Sequence, residues 1–163
     1  MKKFLFVAVI VGLTISKDIG AQSKPNSIQG VWHVVEATIT GPAARTISFA
    51  ERPNLTIITA KHYSRVEVQA DGPRPVVADV AKASADELRA AWGPFVAEGG
   101  TYEVAGNLIT MRPIASKNPA VMGPGVFITY AYKLEGDTLS LTQQRNQTGP
   151  FANPFSFKAV RVE

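Results

Sequence analysis

The chain contains no cysteine. Disulfides, thiolate zinc sites and cysteine nucleophiles are excluded, and so is a lipid-modified cysteine behind a leader. Histidine is scarce: His33 and His62 stand apart, at no metal-ligand spacing. No run of Lys or Arg occurs, and the formal net charge is +4 over 163 residues. Lys2, Lys3, Lys17 and Asp18 fall within the first 21 residues, which leaves about +2 for the rest. A surplus this small and scattered gives no footprint for nucleic acid. Gly-x-Ser-x-Gly and the phosphate-binding loop are missing as well. Nothing in these residue types calls for a metal or a cofactor.

What is present begins with a tripartite leader. Met1-Lys2-Lys3 is basic, Phe4 to Ile15 is apolar, and Ser16 to Ala21 is small and polar. The apolar run is shorter than the roughly 20 residues that span a bilayer, so a secretory signal peptide is expected. Cleavage after Ala21 would leave 22–163 as one domain, with no stable membrane insertion afterwards. An uncleaved anchor is the alternative. The twin-lysine start has a bacterial look, which implies a periplasmic or secreted address.

The remainder reads as strands. Ile28 to Thr40 is rich in Val, Ile and Thr, and Gly41-Pro42 ends it. Asn54 to Ala60 is a second strand. In Tyr63 to Gln69, Val66 and Val68 alternate with Arg65, Glu67 and Gln69, a period of two. Thr101 to Val104 with Leu108 to Arg112, and Val126 to Leu134 with Thr138 to Gln144, read as hairpins. Phe155 to Val162 is the last strand. Ser84-Ala85-Asp86-Glu87 is a capping box, so one short helix is expected at about 84–93, stopped before Pro94. Leu88, Ala91, Trp92 and Phe95 share its apolar face. Residues 114–125 read as a long loop. About eight strands with short links predict an all-β, antiparallel domain. Closure into a barrel would remove both sheet edges, and a two-sheet sandwich is the alternative.

The first strand begins Gly30-Val31-Trp32 and the last ends Val160-Arg161-Val162. This layout resembles the lipocalins, where a Gly-x-Trp opens the first strand and an Arg of the last packs over that Trp. Ile58 to Ser64, Gly100 to Val104 and Tyr132 to Leu139 resemble a divergent group of bacterial lipocalin-like domain proteins. The resemblance spans nearly all of 22–163. It implies a β-barrel with a central cavity, closed at one end by Gly30, Trp32 and Arg161, and it supplies no substrate. The capped helix between the third and fourth strands departs from the lipocalin pattern, whose long helix sits near the C-terminus.

If Trp32 points inward, period two puts Val34, Glu36 and Thr38 on the same face. Glu36 would then be an interior carboxylate needing a partner, with Arg65, Arg112 and Arg145 as candidates. A structural ion pair, or a register that turns Glu36 outward, is the plainer reading. His62-Tyr63-Ser64-Arg65 is the densest polar cluster, and Tyr63 and Arg65 share one face of their strand. Tyr130 and Tyr132 offer an apolar wall with a hydroxyl handle, or plain core. Leu139, Leu141, Gln143 and Arg145 run from apolar to polar, which suits an apolar floor under a wetter mouth.

Three functions follow from these residues. The first is a non-catalytic barrel holding a small apolar or amphipathic ligand, in a cavity of several hundred cubic ångströms. Its ligand-binding set would be Glu36, His62, Tyr63, Arg65, Arg112, Tyr130, Tyr132 and Arg145. The second is an isomerase, cyclase or hydrolase using His62 with Glu36 or Glu103. The third is a protein-interaction module with an apolar outer patch.

Overall fold

A computed structural model describes residues 27–163. The leader expected at 1–21 and the cleavage expected after Ala21 fall outside the described residues. The elements run β1 (Gly30–Ile39), β2 (Arg45–Ser48), β3 (Asn54–Ile58), β4 (His62–Val68), α1 (Ala85–Trp92), β5 (Phe95–Ala105), β6 (Leu108–Ser116), β7 (Ile128–Glu135), β8 (Thr138–Asn146), β9 (Gly149–Pro150) and β10 (Phe155–Arg161). A single turn of 3-10 helix sits at Pro119–Val121.

Each strand pairs antiparallel with its neighbours in the order β1-β3-β4-β5-β6-β7-β8. The last strand, β10, pairs with both β8 and β1, which closes an eight-stranded barrel. Strand β2 adds to β1 where β3 has left it, and β9 extends β8. Closure leaves no long edge to template pairing with another chain.

Two strands run further than their sequence suggests. Strand β5 starts at Phe95 and passes straight through Gly99-Gly100, and β6 continues through Pro113 to Ser116. One extra residue, Ile114, bulges out of β6 opposite Gly99-Gly100, and Pro113 stands in the ladder across from Gly100. Gly100 allows this because a Cβ there would lie on the Arg112 carbonyl. Residues 114–116 therefore belong to the barrel wall and not to the loop expected from 114 onward. The helix forms as its capping box dictates: Ser84 Oγ accepts from the Glu87 amide at 3.2 Å, and Glu87 Oε2 accepts from the Ser84 amide at 2.8 Å. Its C-terminal carbonyls are met by Arg74 and by Lys117, whose Nζ donates to Gly93 and Phe95 carbonyls at 3.0 and 2.7 Å. Trp92, expected on the apolar face, is exposed, and Ala91 is the buried residue of the helix.

The two ends of the barrel differ. At one end the links are two-residue turns, at Gly106-Asn107 and Gly136-Asp137. Trp32, wholly buried, plugs this end and donates from Nε1 to the Ile28 carbonyl at 2.8 Å. The Arg161 guanidinium lies over its ring at 4.2 Å. That guanidinium also donates to the carbonyls of Gln29 and Ser27 at 2.6 and 2.7 Å. Gly30 makes room for it: φ is +144°, and a Cβ would collide with Arg161 Nη1 and come within 2.7 Å of the Glu163 carbonyl. The other end carries the long connections, including β2, α1 and β9.

Candidate binding site at the open end of the barrel

Strand β4 positions the interior polar groups, and it does so against the usual polarity of a strand. Tyr63 and Glu67 are buried at 3% and 5% exposure, while Val66 between them is 42% exposed. The alternation is clean, but the polar face is the one turned inward. Arg65 therefore lies within the barrel, opposite Glu98 of β5 in the register. Tyr130 of β7 and Gln143 of β8, themselves paired, complete this polar layer from the far wall.

The layer is short of internal partners. Arg65 Nε stands 3.2 Å from Glu98 Oε1 but out of line for a hydrogen bond, so it has no acceptor among the described residues. Tyr63 Oη donates to the same Glu98 oxygen at 3.4 Å, a long bond. Glu67 Oε1 accepts from Gln69 Nε2 at 2.8 Å. Burial raises the pKa of Tyr63, and the negative charge of Glu98 adds to it. Burial raises that of Tyr130 too. Burial works against the charge on Arg65, yet the carboxylates of Glu98 and Glu67 beside it favour the charged form, and the guanidinium stays charged. The layer thus offers neutral phenols, a fixed cation and carboxylate acceptors.

This layer divides the interior. Below it, towards Trp32, the space lined by Val34, Ile58, Met111, Leu139 and Leu141 amounts to about 40 Å³. That is room for about one water and not for an organic ligand. Above it, the mouth encloses about 430 Å³, within the range of ligand sites. Its walls are Ala37, Ile39, Ile47, Phe49, Phe155 and Phe157, with Arg65, Glu67 and Gln143 at the base and Arg45, Arg52 and Gln69 at the rim. Arg52 is stacked on Phe49 at 4.7 Å and ion-paired with Asp71. The expected central cavity is in effect displaced to the open half.

Five candidates from the sequence do not reach this site. Glu36 is exposed. The ladder with β10 runs Val34↔Ala159 and then Glu36↔Lys158, so one extra residue bulges out of β1 and reverses its faces. Ala37 and Ile39 take the inner places expected for Glu36 and Thr38. His62 begins β4 at the plugged end and is exposed, lining neither space. Arg112 and Arg145 are both exposed and flank the Phe127 ring at 5.5 and 5.7 Å. Tyr132 is half-buried against the core cluster below the layer. Tyr63, Arg65 and Tyr130 do face the interior and come together.

Sequence reasoning missed Glu67, Glu98 and the mouth wall. Glu67 was within reach, since two residues beyond Arg65 is the same face. Asn54 was missed as well, and it holds the bulge. Its Oδ1 accepts from the Val34 amide at 2.7 Å and its Nδ2 donates to the Val34 carbonyl at 3.0 Å. One side chain thereby stands in for a strand neighbour where β1 changes partner from β3 to β2.

Among the described residues no group of three or more His, Asp or Glu side chains could hold a metal ion. Compared with known proteins, the chain matches no family model and no curated sequence.

Proposed function

We propose that this is an exported, lipocalin-like carrier that binds one small amphipathic molecule in the open half of its barrel. The reading rests chiefly on one observation: a space of about 430 Å³, walled by Ala37, Ile39, Ile47, Phe49, Phe155 and Phe157, stands directly on the interior guanidinium of Arg65 with Glu67 beside it. A ligand oxygen brought against that guanidinium gains a charge-assisted hydrogen bond, stronger than a neutral one, while its apolar body covers the wall. The tripartite leader pattern of residues 1–21 supports export. An enzyme built on His62 has no comparable support, because His62 lies outside both interior spaces.

Mass spectrometry of small molecules released from purified, denatured protein tests the reading. A recurrent amphipathic species at close to one per chain is the expected result. A barrel that releases nothing, and that no amphipathic compound thereafter stabilises against heat, would remove it.

A further inference from the structure

The polar layer carries information about the ligand's head. At its base the mouth presents a donor, Arg65, an acceptor, Glu67, and Gln143, which is both. Glu98 stands behind Arg65 at 3.2 Å. An anionic head reaching Arg65 meets Glu67 at the base, and the guanidinium it approaches is already faced by Glu98 from behind. A cationic head meets Arg65 there, after passing Arg45 and Arg52 at the rim. Either sign therefore finds like charge in a partly desolvated space, where an unbalanced charge is costly.

From this juxtaposition we infer that the ligand carries an uncharged head group with an acceptor and a donor side by side, of the carboxamide or lactam class, on an apolar body. The head's oxygen accepts from Arg65 and its N–H donates to Glu67, while Gln143, whose Oε1 accepts from the Phe155 amide at 3.0 Å, stands beside them at the base. The body lies against Ile39, Ile47, Phe155 and Phe157. The inference deepens the ligand-binding reading above and rests on it.

Three probes of equal chain length separate the alternatives: decanamide, decanoate and decylamine, each titrated into the full chain at neutral pH and followed by calorimetry. Decanamide is expected to bind at least about tenfold more tightly than either charged probe. Glu67→Gln, which removes one carboxylate and keeps the shape, is expected to improve decanoate at least about tenfold while decylamine gains nothing. Thermal melting of the variant confirms that it is folded. Decanoate or decylamine binding as tightly as decanamide overturns the inference and leaves the carrier reading standing. Failure of all three probes to bind overturns the carrier reading and this inference with it.

Discussion

The guanidinium of Arg161, at the end of the last strand, lies 4.2 Å from the ring of Trp32, at the start of the first. It joins the two ends of the described chain, because its nitrogens also bind the carbonyls of Ser27 and Gln29. A cation–π contact and two charged hydrogen bonds converge on one side chain, and Arg161→Ala is expected to cost about 3 kcal/mol in urea unfolding. Arg161→Lys should recover little, since a single ammonium cannot span both carbonyls and stack on the ring. Gly30→Ala should cost about as much as Arg161→Ala, because its methyl takes the guanidinium's place at an unfavourable φ. If Arg161→Lys proves as stable as the original chain, the contact with Trp32 is incidental.

Asn54 occupies the fork where β1 leaves β3 for β2. Asn54→Ala strips partners from the Val34 amide and carbonyl together, and a loss of about 2–4 kcal/mol is expected. Hydrogen exchange offers the sharper readout. The amide of Val34 should lose protection in the variant while that of Ala159, on the far side of the ladder, keeps it. Equal protection in both chains would show that water or a shifted strand replaces the side chain without cost.

The buried tyrosines set an alkaline limit. Tyr63 and Tyr130 hold their protons above the ordinary tyrosine pKa of about 10, because burial disfavours the phenolate. Their folded values lie above the unfolded ones, so the unfolded chain loses protons first as pH rises. The stability they carry is complete below about pH 10 and declines above it. Absorbance at 295 nm should show their ionisation only as the protein unfolds. Tyr63→Phe should flatten the decline. Ionisation of all four tyrosines near pH 10, with the fold intact, contradicts the placement of both rings.

The barrel was legible in the sequence for physical reasons that also mark where legibility stopped. Val, Ile and Thr runs broken by Gly-Asn and Gly-Asp turns fix antiparallel strands, and Ser84 with Glu87 fixes the helix start. Gly30, Trp32 and Arg161 are local features whose geometry closes the barrel. The inward face beyond Val34 was not legible, because one bulged residue reverses every later side chain and leaves no trace in composition. That slip carried Glu36 inward on paper. The same limit hid β5 within 95–100, where paired glycines read as a break although they serve a close approach between strands. On β4 the pattern was visible, but Val66 outside and Glu67 inside invert the usual rule that the apolar face is the buried one.

A carrier of this build holds its small molecule above the Arg65 layer and not beneath it. Fluorescence titration with N-phenyl-1-naphthylamine, an uncharged amphipathic probe, addresses this when run on three chains. The native chain should saturate at one probe per molecule, and Ile109→Val, deep in the packed half, should do the same. Ile47→Trp, which fills the mouth from β2, should weaken the probe at least about tenfold while the barrel stays folded. Undiminished binding in Ile47→Trp, or none in the native chain, would contradict the placement.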